Sequence, residues 1–223
     1  MGGVYKSEKK AKSSHPIIIK TSPISPLSGK GIIEVEREVT DYMSIQVGLG
    51  LTFKSLLNIS LVNVLNDDSE EFHESTLWEY DITDDFNDFT IRKVKPGFVF
   101  SISPRFFYES DGFEGSYIAP VFRYSTYNYS VKPILEIPGE IIREASYSTD
   151  ESVKNIDLLV HYGTQVLYPK LTTEYFIGLG ARLETANRQD LGIDSSGVNR
   201  NGIAEIKKTT FLLEGGVRIG FQL

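Results

Sequence analysis

From Phe211 to Leu223, apolar and other positions alternate without interruption. Phe211, Leu213, Gly215, Val217, Ile219, Phe221 and Leu223 share one parity; Leu212, Glu214, Gly216, Arg218, Gly220 and Gln222 share the other. Successive side chains of a strand face opposite sides, so Thr209–Leu223 predicts a two-faced strand with one hydrocarbon side. The same period recurs upstream. Met43–Phe53 sets Met43, Ile45, Val47, Leu49, Leu51 and Phe53 against Ser44, Gln46, Gly48, Gly50 and Thr52. Gly97–Tyr108 sets Phe98, Phe100, Ile102, Pro104, Phe106 and Tyr108 against Val99, Ser101, Ser103, Arg105 and Phe107. Thr173–Asn187 sets Tyr175, Ile177, Leu179, Ala181 and Leu183 against Glu174, Phe176, Gly178, Gly180, Arg182 and Glu184.

Eight strands are predicted in all: 16–27, 32–39, 43–53, 97–108, 116 to about 131, 153–168, 173–187, and about 204–223. In the first, Pro23 and Pro26 imply a bend or bulge, because proline donates nothing to a ladder. Ser28-Gly29-Lys30-Gly31 then predicts a tight turn. Arg37 interrupts the apolar face of the second strand near its end, where a long basic side chain can snorkel to an interface. Most of these strands reach ten residues, against five or six in soluble sheets. Connections after the second, fourth and sixth strands are short, and those after the third, fifth and seventh are long; only the first turn breaks the rule. That alternation is the signature of an up-and-down barrel with both ends on one side. The expected fold is therefore all-β, an eight-stranded antiparallel up-and-down transmembrane β-barrel over 15–223. Its long loops fall at about 54–95, 132–151 and 188–203, and a disordered basic lead occupies 1–14.

Composition sharpens the picture. Twelve Tyr and 13 Phe against one Trp suit strands and interfacial girdles. No stretch approaches the roughly 20 apolar residues of a membrane helix, whereas barrel strands never need one. The net charge of −7 argues against nucleic acid as a partner. The chain has no cysteine, which removes disulfides, thiol catalysis and Cys-based zinc sites. Nor does it open with a secretory signal, since Ile17-Ile18-Ile19 is too short for an apolar h-region. Residence in an outer membrane thus carries the expectation that an export signal has been removed.

Alternation alone does not say which face points inward. A soluble lipocalin-like ligand-binding barrel also has eight strands, with an apolar interior. Three features favour the inverse. Glycines crowd the polar faces (Gly48, Gly50, Gly163, Gly178, Gly180, Gly216, Gly220), as a narrow filled lumen requires. Both signs of charge share those faces: Glu34, Glu36, Asp157, Glu174, Glu184 and Glu214 with Lys20, Arg105, Arg123, Arg182 and Arg218. Buried charges must be paired, so mixed signs fit an interior. Aromatics stand near strand ends on the apolar faces (Phe53, Phe98, Tyr108, Tyr168, Tyr175, Phe221), where membrane belts fall. The expected lumen network comprises Lys20, Glu34, Glu36, Arg105, Arg123, Asp157, His161, Arg182, Glu214 and Arg218. Glu214 and Arg218 lie about 13 Å apart along one strand, so each must find partners on other strands. Glu34, Glu36 and Arg182 are the nearest in barrel order.

The segments Ile32-Ile33-Glu34-Val35-Glu36-Arg37, Ser101-Ile102-Ser103-Pro104-Arg105-Phe106 and Tyr117-Ile118-Ala119-Pro120-Val121-Phe122-Arg123-Tyr124, with the terminal Ile-Gly-Phe-Gln-Leu, make the chain resemble small outer-membrane β-barrels of Gram-negative bacteria. It is similar in size to the outer-membrane protein A transmembrane domain. The resemblance implies a fold and an outer-membrane location, with outer-membrane lipid as the surroundings. It does not select among anchors, adhesins, narrow pores and accessory subunits.

Chemistry is sparse. There is no G-x-S-x-G, H-E-x-x-H, P-loop or dinucleotide fingerprint, and no cofactor or metal is implied. Some barrels of the resembled kind are lipid-modifying enzymes with a Ser/His pair. Here His15 starts the first strand, His73 sits in a loop, and His161 lies on a polar face as a hydrogen-bonder, so no catalysis is expected. The acidic stretch 67–88, with Trp78 as a contact residue, is the segment through which other envelope proteins would be met. Its carboxylates suit a hard divalent cation or a basic partner, although no EF-hand pattern is present.

Overall fold

The computed structural model describes residues 17–53, 81–82, 89–108, 113–135, 143–144, 149–190 and 202–223. The strands are β1 (Ile17–Thr21), β2 (Lys30–Thr40), β3 (Met43–Thr52), β4 (Asp81–Ile82), β5 (Phe89–Lys95), β6 (Gly97–Phe107), β7 (Gly115–Leu135), β8 (Arg143–Glu144), β9 (Thr149–Leu167), β10 (Leu171–Asp190) and β11 (Gly202–Gln222). Eight of them close a ring of antiparallel neighbours, β1-β2-β3-β6-β7-β9-β10-β11 and back to β1. The fold is an all-β, up-and-down, eight-stranded barrel. β5 prolongs β6 along the far half of β7, and β4 and β8 are two-residue additions at that end. Between β5 and β6, Lys95 faces Asn128 but Val99 faces Ser125. Four residues oppose three, a bulge placed at Pro96, where no ladder donor is lost.

The register fixes the geometry of the ring. From Ile219 it passes through Thr21, Ile33, Leu49, Phe100, Tyr124, Ile156 and Leu183 and returns to Thr209. The return point lies ten residues from the start on the same strand. Eight strands with a shear of ten tilt by about 40° and leave an interior that side chains just fill.

Parity then sorts every strand. Ile33, Leu49, Ile118, Val160, Ile177, Leu179, Phe211 and Phe221 all face outward and are exposed. Glu36, Arg105, Asp157, His161, Gln165 and Glu174 face inward, none more than 1% exposed. Glycines on the inner face make room for that filling. A Cβ at Gly163 would lie 2.6 Å from the Tyr117 ring, and one at Gly178 would lie 2.8 Å from His161 Nε2.

Several boundaries differ from the sequence expectation. The first strand stops at Thr21, because the two prolines end its ladder. Ser25–Ser28 forms a 3-10 turn with a proline in its first turn, closed by Gly29 at φ 75°. Only Gly29 of the expected Ser28–Gly31 turn is outside regular structure, and Lys30 and Gly31 belong to β2. β5 lies inside the expected 54–95 loop, and β7 and β10 run three residues or more past their expected ends. The expected lead at 1–14, His15, His73, Trp78 and all of 67–88 except Asp81 and Ile82 lie outside the described residues.

These contacts make the inner glycines sensitive to size. Gly163→Leu and Gly178→Leu should each destabilise the barrel by about 1–3 kcal/mol through overpacking. Gly215→Ala, whose Cβ would meet nothing closer than the Phe176 carbonyl at 3.4 Å, should be near neutral. Urea midpoints of the three variants, compared with the parent, check this.

Candidate functional site

All ten residues expected in the lumen network meet inside the ring. They fall into two groups stacked along its axis. The group nearer the short turns is centred on Glu174 of β10, a residue legible on the polar face of its strand but not as a hub. Arg105 of β6 donates to both its oxygens, Nη2 to Oε1 at 2.7 Å and Nη1 to Oε2 at 2.9 Å. Lys20 of β1 reaches Oε2 at 2.8 Å, while Arg218 of β11 and the Tyr117 hydroxyl of β7 donate to Oε1. Lys20 also pairs with Glu36 of β2 and donates to Gln165 of β9, and Ser44 of β3 donates to Glu36. Arg218 Nε reaches Glu34 at 2.6 Å. Every strand of the ring thus sends a side chain to this one cluster.

The charges in it balance. Lys20, Arg105 and Arg218 oppose Glu34, Glu36 and Glu174, and all six are nine-tenths buried or more. A buried charge survives only when its partners replace water, and here each finds at least one opposite charge. The Arg105 guanidinium also lies over the Tyr117 ring, 4.5 Å from its centroid.

The second group lies nearer the long connections. Arg123 of β7 forks onto Glu214 of β11 at 2.7 and 2.8 Å. Arg182 of β10 forks onto Asp157 of β9 at 2.7 and 3.1 Å, and Arg123 touches the same carboxylate at 3.5 Å. Planar guanidinium and carboxylate match in such pairs, which fixes orientation as well as charge. His161 meets Glu214 at 2.7 Å, its ring enclosed. Lys30, expected in a turn, instead projects its side chain into this end, buried and within electrostatic reach of Arg123, Arg182, Asp157 and Glu214.

Phe176 partitions the two groups. Its ring stacks on His161 at 4.7 Å and lies 3.9 Å below the Arg218 guanidinium. It covers Gly216, its cross-strand partner, where a Cβ would come within 2.9 Å of the ring.

The expected partners are partly corrected. Arg218 does find Glu34, but Glu214 is held by Arg123 and His161, while Arg182 serves Asp157. Order around the ring ignores register: Glu214 stands opposite Gly178, and Arg182 stands opposite Thr210, four residues farther along the ladder. Tyr117 was readable from parity alone, since it shares Ala119's and Arg123's face. Among the described residues no group of three His, Asp or Glu is arranged to hold a metal ion.

No protein-family model, no curated protein and no solved structure matches the chain.

The geometry generates two expectations. Glu174→Ala strands three cations at once and should cost about 3–5 kcal/mol in thermal or urea unfolding. Lys95→Ala removes a pair whose side chains are 46% and 74% exposed and should cost no more than about 1 kcal/mol. Equal midpoints for the two variants would refute a sealed interior. In planar bilayers the filled ring should give no steady single-channel current, because ion pairs and Phe176 occupy its cross-section.

Proposed function

We propose that the protein is a non-catalytic outer-membrane β-barrel of a Gram-negative cell envelope, structural or interaction-bearing through the connections at its loop end. The observation that carries this reading is the belt of apolar side chains around a charged interior. On β11 the belt runs from Phe211 to Phe221, ten residues along one strand. At the rise of a strand and a tilt of about 40°, that is about 25 Å, the height of the apolar band on outer-membrane barrels. The outward positions of β3, β6, β9 and β10 are apolar over a comparable height.

Aromatic pairs stand at both margins. Phe98 and Tyr124 meet at 5.4 Å toward the loop end, and Tyr108 stacks on Tyr162 at 6.5 Å toward the short turns. Amphipathic rings favour the level of lipid headgroups. A soluble lipocalin-like barrel needs the opposite arrangement, an apolar interior and a solvated exterior. Thirty-one large hydrophobic side chains are exposed among the described residues, far beyond what a soluble monomer tolerates in one continuous band. No helix among the described residues is long and apolar enough to cross a membrane, so spanning would rest on the strands.

In this reading lipid is the partner of the belt, and envelope proteins would be met through the acidic segment 67–88. The charge network is scaffolding, not a reaction centre.

Two measurements test the proposal. The folded protein should need detergent or lipid to remain monodisperse; a stable, soluble monomer in plain buffer would end the membrane reading. Ile177→Lys, near the middle of the belt, should cost about 2–4 kcal/mol when unfolding is measured in a bilayer. On a water-facing surface the same change would be within about 0.5 kcal/mol of neutral.

A further inference from the structure

The two charge groups of the lumen differ in their sum. Around Glu174, Lys20, Arg105 and Arg218 meet Glu34, Glu36 and Glu174, and the signs cancel. Nearer the loop end, Arg123, Arg182 and Lys30 meet only Asp157 and Glu214. His161, seated on Glu214, brings no negative charge. The next inward rung toward the rim sets Ser125 opposite Asn155 and Asn155 opposite Glu184. Glu184 in turn stands opposite the exposed Lys208, so that rung leaves the sum unchanged. Glu151 lies four residues beyond Asn155 on β9, about 13 Å farther toward the rim. Among the described residues, one positive charge is left over inside the ring.

That surplus belongs to Lys30. Glu214 is taken up by the Arg123 fork and His161, and Asp157 by the Arg182 fork and Arg123. Among the described residues no acceptor is hydrogen-bonded to the Lys30 ammonium, although the residue is only 9% exposed. Lys30 opens β2 and stands opposite Thr52, the last residue of β3, so it sits where the short side of the wall stops. Three further polar atoms at this end are buried without a partner: Arg123 Nε, Ser125 Oγ and Asn155 Oδ1. Arg123 and Ser125 share the inner face of β7, two residues apart, and Ser125 faces Asn155 across the ladder. Ammonium, guanidinium N–H and hydroxyl are all donors, and the Asn155 amide offers an N–H by turning about its last bond. A buried cation without a partner and a buried donor without an acceptor are each costly, and one shared acceptor relieves them together.

We infer that the loop end of the lumen binds one compact monoanion, chloride in charge and size, between Lys30, Arg123 and Ser125. A single negative charge cancels the surplus; a doubly charged oxyanion would reverse it and would call for more donors than these side chains supply. The narrow ring likewise selects a small ion over an extended one. The inference draws on the lumen alone and does not depend on what covers the apolar belt. It also gives the ion a structural task. β2 pairs with β1 only from Ile33 to Arg37, so Lys30 has no ladder neighbour on that side. β2 and β7 share no ladder either, and an anion held by Lys30 and Arg123 ties them across the lumen where the wall is weakest.

Thermal unfolding of the full chain in non-ionic detergent, with sodium chloride exchanged for sodium gluconate at fixed ionic strength, tests the site. The midpoint should rise with chloride and respond to bromide in the same way, because the ion binds the folded state. Gluconate is too large to enter. Chloride NMR lines should broaden in the presence of the folded protein, saturably and reversed by bromide, and not with the urea-unfolded chain. Lys30→Met keeps the length of the side chain and removes its charge, and it should lose both signals. Ser125→Ala should raise the half-saturating chloride concentration about tenfold, the loss of one hydrogen bond to a charged group. Lys154→Met, at an exposed lysine on the outer face, should change neither signal. If Lys30→Met does not fold, the parent and Ser125→Ala decide. Equal midpoints in chloride and gluconate with no broadening overturn the site, the surplus charge then being met within the chain. A chloride response that survives in Lys30→Met, or that Ser125→Ala leaves unmoved, overturns it as well.

Discussion

Glu174 accepts hydrogen bonds from Lys20, Arg105, Arg218 and Tyr117, from four different strands of the ring. A lone carboxylate in that position, cut off from water, would not stay ionised without them. The dependence runs both ways, because the three cations are equally cut off. With Glu36 and Glu34 they form a closed set of charges that no single strand can leave cheaply. The tie is therefore lateral: besides its ladder neighbour β11, it couples β10 to β1, β6 and β7, with which β10 has no ladder pairing. Backbone pairing closes the wall; the carboxylate holds its opposite sides at a fixed distance.

The shear of ten makes this crossing possible. It sets a radius at which arginines from opposite walls reach the axis and meet. A wider ring would leave water between them, and a narrower one would expel them. The inner glycines are the local expression of the same limit, each yielding its volume to one neighbour: Gly163 to Tyr117, Gly178 to His161, Gly220 to Lys20. Phe176 completes the filling by occupying the level between the two charge groups. Outside, the apolar belt is left exposed among the described residues, and in the proposed reading lipid covers it.

Parity carried most of this in the sequence. Strand existence, the two faces and the ten network residues follow from a period of two, which is a local property. What parity lacks is stagger. The pairing of Glu214 with Arg123 instead of Arg182 depends on how far each strand slides against the next, and that is fixed only when the ring closes. Glu174 shows the same limit: its face is evident, but its centrality comes from side chains of four other strands arriving at one height. The prolines at 23 and 26 signalled a break, yet the 3-10 turn that follows is a choice among local conformations that composition does not rank. Lys30 was hidden by its neighbours, since Gly29 and Gly31 read as a turn whereas only Gly29 adopts the left-handed backbone. The strand at Phe89–Lys95 was obscured by the acidic run before it.

One seam differs from the other seven in kind. Around the ring, each strand pairs with its sequence neighbour, apart from the two-residue β4 and β8 and the β5 extension. Only β1 and β11 join positions about two hundred residues apart, and they do so through four register pairs, against twenty between β10 and β11. Hairpins of neighbouring strands form from local encounters, whereas the last contact must wait for a long segment to return. The slow event in folding is then the arrival of a five-residue strand at the edge of an almost complete curved sheet. Until it arrives, that sheet presents two open edges and an unfinished set of ion pairs, so the time spent waiting, not the number of hairpins, governs how often the chain goes astray.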